Sequence, residues 1–165
     1  MGGHRMRAFA CFALVALTSC ETAGTERSSL QSPAPKCDTA VAREDIRRTI
    51  ETFYAALAKN DHLAVQRDTT PDFYAFEIGK KYSSKQLSDL VAKSHAEGRI
   101  INWGLGPMTL QVDCSIASAT WENVGSAGSA GKLQPRAWLE SAVLRRHDDS
   151  WVLAFLHSTP KDPRE

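Results

Sequence analysis

Apolar residues recur at three- and four-residue steps from Thr39 to about Asn60. Val41, Ile46, Ile50, Phe53, Tyr54 and Leu57 fall on one side of a helical wheel, and Arg43, Glu44, Arg47, Arg48 and Glu51 on the other. That spacing predicts a helix lying across a core with one wet face. Asn60-Asp61 ends it and supplies a cap for a short helix from His62 to Arg67, which Thr69-Thr70-Pro71 terminates. Asp72 to Gly79 is aromatic and β-prone, with Phe73, Ala75 and Glu77 on one face and Tyr74, Phe76 and Ile78 on the other. The second, more apolar face is expected to point inward, turning Glu77 out unless a bulge intervenes. Ser83-x-x-Gln86 has the form of a capping box ahead of Leu87, Leu90 and Val91, and Gly98 stands where a C-terminal cap belongs, so a helix from about Ser84 to Glu97 is predicted.

Beyond that glycine, alternation replaces the helical period. Met108, Leu110 and Val112 alternate with Thr109, Gln111 and Asp113 ahead of Cys114, the mark of a half-buried strand reached from Ile100 to Trp103 through Gly104-Leu-Gly-Pro107. A further strand is predicted from Ile116 to Val124. The small-residue run Gly125-Ser-Ala-Gly-Ser-Ala-Gly131 reads as a flexible, exposed hairpin tip. The last two strands, Leu133 to Arg146 and Ser150 to Ser158, flank a polar turn at His147-Asp-Asp-Ser150. Helix, short helix, strand, helix and then four antiparallel strands define an α+β class, with N-terminal helices packed on one face of a mostly antiparallel sheet.

The N-terminus belongs to a different chemistry. His4, Arg5 and Arg7 precede the apolar run Ala8 to Leu17, too short for a permanent span, and Leu17-Thr18-Ser19-Cys20 resembles the bacterial lipobox, whose cysteine is lipidated. Residues 1–19 are therefore expected to be a lipoprotein signal peptide, with Cys20 as the lipidated residue. The alternative is an ordinary secretory peptide with a chance cysteine. Several acyl chains on Cys20 would anchor the chain stably, so the membrane is engaged through lipid only and the protein is expected outside the cytoplasm. Residues 20–36 are polar and Pro-containing and read as a tether with a reach of ~50 Å. The domain then spans 37–160, with 161–165 as a tail. In an oxidising compartment Cys37 and Cys114 are candidates for a disulfide, two buried thiols being the open alternative. A net charge of +1 leaves no footprint for nucleic acid, and the histidines and cysteines lack metal-ligand spacing, so neither a metal nor a cofactor is expected.

The element order and three local stretches carry a family likeness. Phe53-Tyr-Ala-Ala-Leu-Ala-Lys-Asn-Asp61, Pro71-Asp-Phe through Gly79, and Ser141-Ala-Val-Leu-Arg-Arg146 with Trp151-Val-Leu-Ala-Phe-Leu-His-Ser158 together resemble the nuclear transport factor 2-like (SnoaL-like) superfamily. The resemblance covers nearly the whole domain from about residue 40. It implies a cone: a curved sheet and helices enclosing a pocket. It does not imply one function, because the superfamily includes isomerases, cyclases, dehydratases, epoxide hydrolases, transport adaptors and oligomerisation domains. In its ketosteroid isomerase branch a tyrosine on the first helix supplies an oxyanion-hole hydroxyl. Aligning that helix on Ala55-Ala56-Leu57 puts Phe53, not Tyr54, at that position, which implies that the hydroxyl is missing. The same matching sets Glu77 near that branch's general base.

The closing hairpin supplies the remaining candidates. A turn of two or four residues pairs Arg146 with Trp151, Leu144 with Leu153, Ala142 with Phe155 and Glu140 with His157, whereas a three-residue turn breaks this pattern. Glu140 and His157 would then share an apolar wall with Trp138, Trp151, Leu153 and Phe155, as an acid-base pair tunable near neutral pH. The candidate catalytic set is thus Glu140, His157 and Glu77. Phe53, Trp103, Trp121, Trp138 and Phe155 are the candidate ligand contacts. Three functions follow as expectations: binding of a small apolar or aromatic molecule; a cofactor-independent isomerase, lyase or hydrolase built on Glu140 and His157; and a homodimerisation module without ligand.

Overall fold

The computed structural model describes residues 38–161; the expected signal peptide, the lipidation site Cys20, the tether, Cys37 and residues 162–165 lie outside the described residues. Helices α1 (Thr39–Ala58) and α2 (His62–Arg67) lead into strands β1 (Thr69–Glu77) and β2 (Lys80–Tyr82). Helix α3 (Ser84–Ala96) follows, then β3 (Arg99–Asn102), β4 (Thr109–Val112), β5 (Ile116–Ser129), β6 (Lys132–His147) and β7 (Ser150–Pro160). The helices begin at side-chain caps. Asp38 accepts from the Ala40 and Val41 N–H groups, Asp61 from that of Ala64, and Ser83 with Gln86 forms both arms of the capping box. Gly98, at φ +78°, follows α3 in the left-handed conformation that glycine adopts without strain.

The strands form one strongly curled sheet ordered β2-β1-β7-β6-β5-β3, with β4 also pairing β5. All pairs are antiparallel except β1 with β7, so the sheet is mixed. Ile46, Ile50 and Phe53 of α1, Val65 of α2, and Leu144 and Leu153 of the sheet are fully buried. Burying each such side chain contributes on the order of 1.5–3 kcal/mol. Among the described residues, the buried members of the hydrophobic core lie between Ala42 and Leu156. Cys114 is disulfide-bonded; Cys37, its expected partner, lies outside the described residues.

Two expectations about strands fail for identifiable reasons. The run from Gly125 to Gly131 is not a flexible tip: β5 continues to Ser129 and β6 begins at Lys132, leaving only Ala130-Gly131 as the turn. Small residues there admit the neighbouring strand, since a Cβ on Gly125 would lie 1.9 Å from the Asn102 carbonyl oxygen. On β1, Phe73 and Ala75 take the core, while Tyr74 and Phe76 turn to the outer face. The outer aromatics are held by Phe155 of β7, with ring centroids 5.0 and 5.6 Å away. Glu77, two residues beyond Ala75, therefore points inward.

Candidate functional site

The turn between β6 and β7 does contain two residues, Asp148-Asp149, and pairs Arg146 with Trp151 and Leu144 with Leu153. One extra residue then enters β7. Val143 pairs with Phe155, which leaves Ala154 as a bulge and buries both Leu153 and Ala154 on the inner face. Side chains alternate, so a shift of one residue inverts all that follow. Ser158 comes to lie opposite Glu140, and His157 opposite Ser141 on the outer face. The Glu140/His157 pair expected from the sequence does not form. His157 is exposed there, 6.0 Å from the Phe76 ring and 6.4 Å from that of Phe155.

What the inner face assembles instead is a polar cluster at the buried end of a cavity of about 470 Å³. Tyr54 comes from the core-facing stripe of α1, Asn123 from β5, Glu140 from β6 and Ser158 from β7; all four are buried. Glu140 Oε1 accepts from Asn123 Nδ2 and from Ser158 Oγ, both at 3.3 Å. Asn123 is oriented for this task because its Oδ1 accepts the Gly104 N–H at 3.0 Å, which turns its amide nitrogen toward the carboxylate. Glu140 Oε2 is buried with no hydrogen-bond partner among the described residues. Leaving such an oxygen unmatched costs roughly 1–3 kcal/mol, which a proton or a ligand donor offsets. Glu77 lines the same cavity from the end of β1. The walls are apolar, formed by Leu57, Leu87, Val91 and Leu156 with Trp103 and Trp138, and Glu97, Arg99 and Arg136 stand at the exposed mouth.

Burial pushes the Glu140 carboxyl up to about 7; the Glu77 charge adds to this, and Tyr54, Asn123 and Ser158 act against it. Glu77 is also raised by burial, with Ser158 and His157 opposing. Tyr54 lies well above the ordinary tyrosine value, through burial first and the Glu140 charge second. At neutral pH Tyr54 thus stays a hydrogen-bond donor, while Glu140 divides between its acid and carboxylate forms. The Tyr54 hydroxyl acts as a donor toward the Glu140 carboxylate, and a protonated Glu140 would itself present a donor to a ligand oxygen. Glu77 is an acceptor on the same cavity wall. Among the described residues, no group of three His, Cys, Asp or Glu side chains is arranged to hold a metal ion.

The structure divides the sequence candidates. Glu140, Glu77, Trp103 and Trp138 line the cavity. Phe53 does not: it is fully buried in the core, its ring 6.1 Å from that of Phe73, and its neighbour Tyr54 brings a hydroxyl to the cavity where none was expected. Trp121 lies in the core beneath Tyr54, at 6.2 Å between ring centroids, and Phe155 sits on the outer face. Asn123 and Ser158 were missed. Asn123 did carry a signal, being a polar residue that directly continues the inward parity of Ala117, Ala119 and Trp121.

No protein-family model matches the chain, and no curated protein does. Solved structures do. A nuclear transport factor 2-like protein with a cystatin-like fold from Novosphingobium aromaticivorans is similar at a TM-score of 0.65 and 20% identity, over 76% of this chain and 85% of that one. A ketosteroid isomerase-like protein from Erwinia carotovora atroseptica gives 0.59 and 18%, over 73% and 96%. A candidate dehydratase of the nuclear transport factor 2-like family from Streptomyces avermitilis gives 0.65 and 19%, over 75% and 99%. At such identities the likeness establishes a shared fold.

Proposed function

With the nuclear transport factor 2-like fold as premise, we propose that this chain is an extracytoplasmic domain, tethered through lipid on Cys20, that binds one small, largely apolar molecule in its cone. The observation that carries the reading is the unmatched Glu140 Oε2 at the buried end of an apolar-walled cavity. A volume of about 470 Å³ is within the range of small-molecule sites. The ligand's inner end is a hydrogen-bond acceptor such as a carbonyl, received by Tyr54 and protonated Glu140. The neutral fluorophore N-phenyl-1-naphthylamine tests this on the chain from Glu21 to Glu165, which retains the core of the described residues. It should bind, and Leu90→Trp, which places an indole in the cavity wall, should weaken binding at least tenfold. If neither this probe nor its anionic relative 1-anilinonaphthalene-8-sulfonate binds the unmodified chain, the reading is refuted.

A second reading is favoured by two carboxyls raised by burial in one cavity. Glu77 would take a proton from the carbon beside a carbonyl while Tyr54 and Glu140 donate to the oxygen bearing the developing charge. Return of the proton from Glu77 to the same or a neighbouring carbon would complete an exchange or an isomerisation. The ketosteroid isomerase-like and dehydratase neighbours support this class. The bicyclic ketone 2-tetralone in D2O gives the test: its α-protons should exchange faster with the protein than in buffer, and Glu77→Gln should remove the difference. Equal rates in buffer and with the protein would end the enzymatic reading. Exposed Phe76, Val124 and Leu139 support a homodimer in addition, which sedimentation would resolve.

A further inference from the structure

Arginine pairing in this domain is uneven, and the unevenness follows the cavity. Arg47, Arg48, Arg67, Arg145 and Arg146 each have a carboxylate at ion-pair distance, and Arg43 donates to the Leu110 carbonyl at 2.8 Å. Among the described residues, Arg99 and Arg136 are the arginines with neither a carboxylate at ion-pair distance nor a hydrogen bond to a distant carbonyl, and both line the cavity mouth. Arg99 opens β3 and Arg136 lies on β6, on either side of the shared neighbour β5. Arg136 makes only a 3.4 Å contact with the adjacent Pro135 carbonyl. The one acid at the same rim, Glu97, is engaged by Lys93 at 3.8 Å. The cavity is therefore polarised: two uncompensated guanidinium groups outside, the carboxyls of Glu77 and Glu140 within, and apolar walls between.

Resting on the ligand-binding reading above, we infer that the ligand is an apolar molecule with a single anionic end, a carboxylate or sulfonate held at the mouth by Arg99 and Arg136. Its uncharged end faces Tyr54 and Glu140. Charge fixes this direction of entry. An anion carried to the buried end would meet Glu77 and Glu140 in a place with little water to screen them, whereas at the mouth it finds planar, forked donors suited to an oxyanion. A neutral ligand would leave both guanidinium groups unused. A ligand with an anion at each end would bury its second charge beside the two acids.

The test compares two related apolar fluorophores on the Glu21 to Glu165 chain: the neutral N-phenyl-1-naphthylamine and the anionic 1-anilinonaphthalene-8-sulfonate. Arg99→Gln and Arg136→Gln should each weaken the sulfonate about fivefold, the scale of a solvent-exposed ion pair. Together they should weaken it at least tenfold, and added salt should mimic the loss. The neutral probe should change by less than twofold, and Arg47→Gln, on the outer side of α1, should affect neither. If the neutral probe binds but the sulfonate does not bind, or is insensitive to both arginines, the anionic class is overturned while the cavity stays a ligand site. If neither probe binds, the ligand-binding reading falls, and this inference falls with it.

Discussion

The two faces of the sheet are made by the same strands and carry opposite environments. On the outer face, Tyr74, Phe76, Phe155 and His157 form a partly exposed ring stack, with the Lys81 ammonium 4.3 Å from the Tyr74 ring centroid. On the inner face, Glu140, Asn123 and Ser158 are buried around a carboxylate that has one oxygen matched and one unmatched. His157 and Ser158 are adjacent in the chain and so fall on opposite faces; the bulge at Ala154 decides which of them faces inward. The difference shows that the choice of face, more than the residue type, sets chemical potential here. An imidazole is the more obvious acid-base group, but it lies outside, and burial moves the Glu140 carboxyl toward neutrality.

Deleting Leu156, beyond the bulge, should break the comparison outright. With Phe155 still opposite Val143, the residues after it would move back by one, turning His157 inward and Ser158 outward, placing an imidazole on the core side and removing a hydrogen bond from Glu140. The expected loss is about 4 kcal/mol or more, read from the urea midpoint. Deleting Ala154 removes only the extra residue, keeps Phe155 opposite Val143 and should cost less. A Leu156 deletion as stable as the parent would show that the register tolerates either arrangement.

Glu140→Gln sharpens the contrast electrostatically. The carboxyl's folded-state value, about 7, lies above the ordinary glutamate value of 4.5, so the folded protein holds this proton more tightly than the unfolded chain. Its contribution favours folding fully below about 4.5, diminishes as pH rises, and is lost above about 7. The full span corresponds to roughly 3 kcal/mol. Chemical denaturation should therefore show Glu140→Gln gaining on the parent between about pH 4.5 and about pH 7 by up to that amount. A constant difference across the range would mean that Glu140 titrates normally.

Smaller effects separate strain and exposure from site chemistry. Ile78 and Gly79 form the two-residue turn between β1 and β2 with φ of +45° and +74°. Such a turn favours Asn-Gly, and a β-branched residue at positive φ is strained. Ile78 nevertheless lines the cavity. Ile78→Asn should raise stability by about 1 kcal/mol in thermal unfolding while weakening N-phenyl-1-naphthylamine; a loss of stability would remove the strain argument. His157→Ala, outside on β7, should change stability by less than about 0.5 kcal/mol and leave probe binding unaltered. A marked loss of binding would return His157 to the site.

Much of the fold was legible because its signals are local. The α1 stripe, the Asp61 and Ser83 caps and the two-residue closing turn all depend on neighbours in the chain, and each lies where the sequence puts it. The site depended on contacts between distant segments. Leu153-Ala154-Phe155-Leu156 is apolar on both parities, so the pattern could not distinguish a regular strand from a bulged one. Phe53 and Tyr54 both lie on the buried side of α1, and only packing against the curled sheet decides which ring enters the core and which reaches the cavity. Glu77 was expected to face solvent because Tyr74 and Phe76 are apolar; the outer ring stack with Phe155 gives those rings partners without enclosing them in the core.

The central claim is that Glu140 is a buried acid poised near neutrality at the closed end of the cavity. A ¹³C NMR titration of its side-chain carboxyl, assigned by comparison with Glu140→Gln, measures this directly. The account requires a midpoint near 7 and a perturbation of that midpoint by Tyr54→Phe, whose hydroxyl otherwise favours the ionised carboxyl. A midpoint near 4.5, unmoved by Tyr54→Phe, would contradict it.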